Sequence, residues 1–295
     1  MSVLRVMASR HSAFYSPLIG TIAGGFLQAE GFEPEYSPLP PGKTVAELLT
    51  SGEIAVAQSA VSSSWGPLEQ GLQPPTVHFA QINERDGFFI AARQAAADFS
   101  WEQLLSGDFM HVHGGQPQAM LAYAMHKQGV DLAQVQAVNA GATAPMMERW
   151  RMGQGDYFHE QGPYPQQLAH EGAAHIVASV GEVIGPVAFS SLSATREWLQ
   201  QPEAVRFMRA YRKSRAWVNT ASAAEIAEAE QPFFPEVDLS VLTETIAAYQ
   251  QLGCWSPSVT ISSQSYEAAL DVFLHAHLIT KRHPYDQVVV PPPEG

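Results

Sequence analysis

Arg10, His11, Ser12, Phe14 and Tyr15 crowd together directly after an apolar run, Val3 to Ala8, that reads as a strand. A guanidinium, an imidazole and two aromatic rings at a strand end can stack on a flat molecule and hydrogen-bond its edge. Three further clusters share this character. Gln58, Ser59 and Ser62 follow the run Ile54 to Ala57; His113, Gly114, Gly115 and Gln116 close the run from Asp108; Glu160 and Tyr164 follow Tyr157-Phe158. Asn83 and Arg85 stand just before the apolar run Gly87 to Ala92. A carboxylate such as Glu160 can accept parallel N–H bonds from an aminopyrimidine-like edge, so the set favours a nitrogen heterocycle. An anion would look instead to Arg10, Arg85 or the Gly114-Gly115 turn. Structural roles compete at each position. Phe14 and Tyr15 could cover a helix end, Glu160 could be an ion-pair residue between lobes, Gly114-Gly115 could be a turn, and Arg85 could pair with Glu84 or Asp86.

The elements that must position these clusters follow one plan written twice. Phe26 to Gly31, Glu35 to Leu39, Thr44 to Gly52 and Ile54 to Gln58 read as helix, strand, helix and strand, with glycine closing each helix. Met125 to Gly129, Val135 to Asn139, Pro145 to Gly153 and Gly155 to Glu160 repeat the order. Two α/β lobes are expected, with a ligand cleft between them at the carboxyl ends of the strands. Leu18, Ile19, Ile22, Ala23, Phe26 and Leu27 form one apolar stripe, which predicts a single helix from Pro17 to Glu30. Strands are expected at Thr76 to Gln81 and Gly87 to Ala92, then a crossing through 93–100, a short helix from Trp101 to Leu105 and a strand from Asp108 to His113. A helix from Ala119 to Lys127 should turn Met120, Leu121, Ala124 and Met125 inward. A second crossing is expected near Gly185 to Ser190, which divides the chain into 1–91 plus 188–295 as lobe 1 and 92–187 as lobe 2. Helices follow over Pro202 to Val218, Ser222 to Gln231, Asp238 to Leu252 and Gln264 to Leu278, and the tail from Pro284 shows no pattern of a packed element.

The chain has 295 residues, 46% of them hydrophobic, enough for a core in each of two domains. Sixteen Lys and Arg against 29 Asp and Glu give a net charge of −13, which argues against nucleic acid and acidic membranes as partners. One cysteine, Cys254, excludes an internal disulfide and a cysteine-based metal cluster. No metal site is expected, because no zinc-type histidine motif is present, and neither a nucleophile elbow nor a nucleotide fingerprint occurs. No run is apolar enough to span a bilayer. With Met1-Ser2 leading straight into a strand and no secretory pattern, the expected location is cytoplasmic as written, or periplasmic if a leader has been removed.

Gly31-Phe32-Glu33-Pro34-Glu35 and Glu47 to Ala57 resemble the corresponding stretch of the thiamine-precursor, sulfonate and nitrate substrate-binding proteins. Lys127 to Val135, Met152 to Asp156 and Pro202 to Tyr211 agree with that family in order and spacing, and the likeness spans roughly residues 3 to 280. The resemblance implies a type II periplasmic-binding-protein fold, two α/β lobes joined by two hinge crossings. It further implies a small-molecule ligand, an ABC permease as partner, and no cofactor. Glu160 aligns with the glutamate of the family's Trp-Glu-Pro motif, altered here to His159-Glu160-Gln161-Gly162-Pro163. One branch of the family, the yeast-type pyrimidine synthase, is enzymatic and uses a lysine and a histidine at positions that fall here on Gln58 and Ser62. The expected function is therefore closure of two lobes on a planar polar metabolite, such as a thiamine or pyrimidine precursor, for uptake or intracellular sensing. The alternatives are a cytoplasmic enzyme of the pyrimidine-synthase branch, with His11, His113 or Glu160 as acid or base, and a protein acting on a small sulfonate-type anion.

Overall fold

The computed structural model describes residues 2–96, 98–139 and 142–294. Ten strands build two five-stranded sheets. The first contains β1 (Ser2–Ala8), β2 (Phe32–Pro38), β3 (Val56–Ser59), β4 (Val77–Asn83) and β10 (Ser190–Ala194), in the order β2-β1-β3-β10-β4. The second contains β5 (Phe88–Ala92), β6 (Asp108–His111), β7 (Gln136–Val138), β8 (Tyr157–Gln161) and β9 (His175–Ser179), in the order β7-β6-β8-β5-β9. The two orders are the same plan. In each sheet the first three strands pair in parallel, and the strand adjoining a crossing runs antiparallel to both of its neighbours. The second sheet's antiparallel strand, β5, precedes its parallel strands, whereas β10 follows those of the first. The chain therefore leaves and re-enters the first sheet around the whole of the second.

Glycine and capping signals place the helices close to their expected spans. Thr44 and Glu47 form a reciprocal capping box at the start of Val45–Thr50, and Ser222 and Glu225 do the same for Ala223–Glu230. Gly253, in the left-handed region, closes Leu239–Leu252. Met120, Leu121, Ala124 and Met125 are all buried on the helix Gly115–Lys127, as the stripe requires.

Four local expectations are corrected. The helix expected from Pro17 to Glu30 is two, Ser16–Ala23 and Phe26–Ala29, because Gly24-Gly25 interrupts it and Gly25 adopts φ 72°. The strand from Asp108 ends at His111, before the glycine turn. The tail from Pro284 does pack: Tyr285–Val288 is a helical turn with Val288 buried, and Val289 bridges to His78 on β4. The first crossing lies at 84–87, not at 93–100. The apolar run Phe88–Ala92 is already in the second sheet, between β8 and β9.

Aromatic side chains fill the space where the crossings meet. Phe14 packs against Phe189 at 5.3 Å and Tyr249 at 4.9 Å between ring centroids. Asn83 Nδ2 and Trp255 Nε1 both donate to the Phe14 carbonyl, at 2.7 and 3.0 Å. The Tyr249 hydroxyl accepts from Gly162 N at 2.8 Å and donates to Gly87 O at 3.2 Å. At Gly181, just after β9, a β-carbon would overlap the Asp86 carbonyl, so the two crossings touch backbone to backbone. No helix among the described residues is long and apolar enough to cross a membrane.

One buried carboxyl near this junction gives stability a distinctive pH dependence. Glu230 is fully buried and accepts a hydrogen bond from Ser16 Oγ at 2.8 Å; burial pushes its carboxyl up to about 8, only partly offset by that bond. Between the unfolded carboxylate pKa, about 4.3, and about 8, the folded state keeps a proton that the unfolded state has lost. Stability from this site therefore falls as pH rises through that window. Glu230→Gln keeps the shape and the Ser16 bond without a titrating group. We predict that urea denaturation at pH 8 finds the variant more stable than the parent, by about 1–3 kcal/mol, and that the gain vanishes near pH 4.

Candidate functional site

The loops at the carboxyl ends of the strands meet across the cleft. Arg10 follows β1 and Glu160 is the penultimate residue of β8, so the sheets present opposite charges to each other. Arg10 Nη2 donates to Glu160 Oε1 at 2.7 Å and to Thr143 Oγ1 at 2.8 Å, while Thr143 Oγ1 donates to Glu160 Oε2 at 2.8 Å. The Gln161 backbone N–H adds a bond to Glu160 Oε1 at 2.7 Å. Glu160 is fully buried, and both its oxygens are occupied. Other bonds join the same lips. Ser12 Oγ donates to Gly162 O at 2.6 Å; Ser62 Oγ donates to Gln116 Oε1 at 2.9 Å, and Gln116 Nε2 donates to Phe189 O at 2.8 Å.

Behind this latch lies a cavity of about 150 Å³. Ser9, Arg10, Tyr15, Gln58 and Ala60 line it from the first lobe, and Phe88, Gln116, Pro117 and Gln161 from the second, with Phe189 from the return crossing. Small-molecule sites usually measure roughly 300–1,000 Å³, so this one suits a single small ring. Its polar groups are directional. Gln58 Oε1 is fixed by Ser9 N at 2.9 Å and Ser9 Oγ at 2.6 Å. The Gln161 amide is buried, and neither its oxygen nor its nitrogen completes a hydrogen bond of good geometry within the chain. The Tyr15 phenol lies near it; burial pushes Tyr15 up to about 12, opposed by the Arg10 charge and the Gln161 amide. Phe88 forms a flat wall, backed by the His159 ring at 4.8 Å and an interplanar angle of 23°. His159 is itself buried without a hydrogen-bond partner, and its pKa is held well below the usual histidine value by burial, then by His111 and Arg10. It is thus a neutral ring, and a packing surface.

The expected site residues separate into distinct places. Arg10, Tyr15, Gln58 and Gln116 line the cavity. Glu160 and Ser62 hold the lips closed, and Glu160, fully buried with a bond on each oxygen, does not line the cavity to meet an aminopyrimidine edge. Phe14 and Asn83 do not reach the cavity. Phe14 is buried against Gly87, where a β-carbon would press on its ring, and Asn83 ties the crossing through Phe14 O and Ser190. Arg85 donates to Gly181 O at 3.3 Å, bracing one crossing against the other. Ser59 bonds Ser63 at 3.3 Å; His113 and Gly114 are exposed in the turn before Gly115–Lys127, and Gly115 is exposed as that helix's first residue. His113 stacks on His111 at 4.1 Å. His11 and Tyr164 line a separate, outer groove. His11 is tied to its own lobe: Nε2 donates to Phe233 O at 2.8 Å, and Nδ1 pairs with the Tyr36 hydroxyl at 2.9 Å. Burial lowers its pKa, consistent with a neutral ring.

Phe88 and Phe189 were not among the expected site residues. The two phenylalanines read as core by type alone. Their place at the two crossings is the signal that could have found them, since each crossing must run along the cleft. Gln161 follows Glu160 directly, and strand alternation turns it away from Glu160 and onto the face shared with His159 and its pairing partner Phe88.

No family profile matches the chain. YtlA of Bacillus subtilis (strain 168), provisionally described as a binding protein, is 29% identical over 295 residues, covering 98% of this chain and 88% of that protein. The ligand-binding component of an ABC-type import system from Staphylococcus aureus, solved with zinc bound, superposes with a TM-score of 0.77 at 16% identity, covering 99% of this chain and 97% of that one. The alkanesulfonate-binding protein SsuA from Xanthomonas axonopodis pv. citri, bound to MOPS, gives 0.75 at 17% identity and 99% coverage of both chains. The periplasmic nitrate-binding protein NrtA from Synechocystis PCC 6803 gives 0.69 at 13% identity, covering 98% of this chain and 86% of that one. With two α/β lobes of the same strand order, two crossings and a cavity between them, the chain has the periplasmic-binding-protein fold.

Proposed function

We propose that this protein is a solute-binding protein whose two lobes close on a small, planar, uncharged polar molecule, a nitrogen heterocycle of the pyrimidine-precursor kind, for delivery to an ABC permease. The observation that carries the reading is the Gln161 amide, buried at the cavity wall with only the nearby Tyr15 phenol to answer it and no hydrogen bond of good geometry on either its oxygen or its nitrogen among the described residues. A buried amide in that state costs stability unless a ligand edge completes it. A heterocycle that presents an acceptor beside an N–H supplies the complement, and Phe88, stacked on His159 and with the Arg10 guanidinium over its ring at 5.5 Å, adds an aromatic wall.

Charge decides between this ligand and a sulfonate or nitrate. Arg10 is the cavity's cation, and the Glu160 carboxylate already compensates it at 2.7 Å. An entering anion would meet a nearly neutral pair and would have to compete with Glu160 for Arg10. The names of the fold's neighbours include sulfonate and nitrate binders; the compensated Arg10 argues against such an anion in this cavity. The reading is also consistent with the description of YtlA as a binding protein.

Isothermal titration with hydroxymethylpyrimidine, methanesulfonate and nitrate tests the proposal. Hydroxymethylpyrimidine should bind, and Gln161→Leu, similar in size but unable to hydrogen-bond, should weaken it about tenfold to a hundredfold while circular dichroism stays unchanged. Parent protein that binds either anion more tightly than the heterocycle would defeat the reading. Glu160→Gln leaves the Arg10 charge uncompensated in a nearly isosteric site. That variant should gain about tenfold or more in methanesulfonate affinity; unchanged anion affinity would show that Glu160 does not set ligand charge.

A further inference from the structure

A larger groove is lined by His11 and Ala144, the residues that follow Arg10 and Thr143 of the latch. It measures about 500 Å³. His11, Phe233 and Phe234 form its floor in the first lobe, while Ala144, Met147 and Tyr164 face them from the second. The His11 ring stacks on Phe234 at 4.4 Å with an interplanar angle of 20°, and the Phe233 carbonyl fixes its outer nitrogen, so this floor is flat and rigid. The groove is thus an aromatic slot built from both lobes.

Two carboxylates and one guanidinium line it, with Glu148 close enough to Arg151 to interact electrostatically. Glu148, on the helix Thr143–Arg151, and Glu236, in the segment after Phe233, line the groove from opposite lobes. Both are exposed, and neither carboxylate makes an ion pair or a hydrogen bond among the described residues. Arg151 is the groove's one basic side chain apart from the imidazole, and it is committed to Glu171 by two bonds of 3.0 and 2.6 Å. Burial lowers the pKa of His11, so the floor brings no compensating positive charge.

We propose that this groove is a second ligand site, for an aromatic or alkyl ammonium compound, and that its occupation holds the two lobes together. Aromatic faces and unspent carboxylates on opposite walls suit a cation attached to an apolar body. The volume falls in the range of ordinary metabolite sites, roughly 300–1,000 Å³, whereas the inner cavity is too small for such a body. Because each lobe supplies one carboxylate and part of the slot, a bound ammonium compound contacts both lobes and favours the closed arrangement. The site does not depend on the identity of the inner ligand.

Titration with phenylethylammonium and its uncharged analogue phenylethanol, at low and high salt, tests the site. The ammonium compound should bind about fivefold or more tightly than the alcohol at low salt, with the preference shrinking as salt is added. The double variant Glu148→Gln, Glu236→Gln, confined to exposed side chains, should remove that preference. Ala144→Trp, which fills the slot from an exposed helix position, should abolish binding of both compounds and leave hydroxymethylpyrimidine binding unchanged. Equal affinity for the ammonium compound and the alcohol, no saturable binding of either, or a preference that survives the double variant would overturn the proposal. Failure of the heterocycle to bind would leave the outcomes for the ammonium compound and the alcohol unaltered.

Discussion

The Arg10–Glu160 ion pair is the interaction on which the arrangement of the cleft depends. It joins the end of one sheet to the end of the other at 2.7 Å, with Glu160 fully buried and Arg10 partly exposed. A carboxylate removed from water is expensive, and here the cost is offset by three bonds, from Arg10, Thr143 and the Gln161 backbone, with the Arg10–Thr143 bond closing the triangle. Removing one partner of such a buried pair typically costs about 3–5 kcal/mol, because the other charge is left stranded. The pair therefore acts as a strut between the lobes, and it sets the net charge that an inner ligand meets.

That strut can form only because the topology delivers both ends to one place. β1 is the second strand of its sheet, between parallel β2 and β3, and β8 is the third strand of the other, between parallel β6 and antiparallel β5. The carboxyl ends of β1, β3 and β8 consequently face one another across the crossings. The aromatic packing of Phe14, Phe189 and Tyr249 and the bracing of Gly181 on Asp86 fix how far apart those ends lie. A cavity as small as about 150 Å³ follows from this close approach. The ligand class proposed for it follows in turn from the amides and rings that remain on its walls.

Much of the architecture was legible in the residues, for reasons that are local. Gly31, Gly52, Gly129 and Gly153 all adopt positive φ at the ends of helical segments, which is why glycine punctuation displayed the duplicated plan. The stripe from Leu18 to Leu27 was misleading because apolar spacing continues through Gly24-Gly25, where the backbone does not. The run Phe88–Ala92 announced a buried strand, yet an unbroken apolar run carries no information on which sheet buries it. The same limit governs the site. Tyr15 and Phe14 are adjacent and chemically similar, and only the presence of Gly87 opposite Phe14 sends one into the core and leaves the other at the cavity. Glu160 was recognisable as a cleft residue, but its partner lies 150 positions away, and nothing local couples the two.

The account's central claim is that the compensated Arg10 makes the inner cavity select a neutral, planar, hydrogen-bonding ring. A mass spectrum of the small molecules released on denaturing freshly purified protein tests that claim most directly, because it does not depend on a choice of candidate ligands. The account predicts a stoichiometric, uncharged nitrogen heterocycle of single-ring size. Stoichiometric release of a sulfonate, nitrate or other small anion would contradict it.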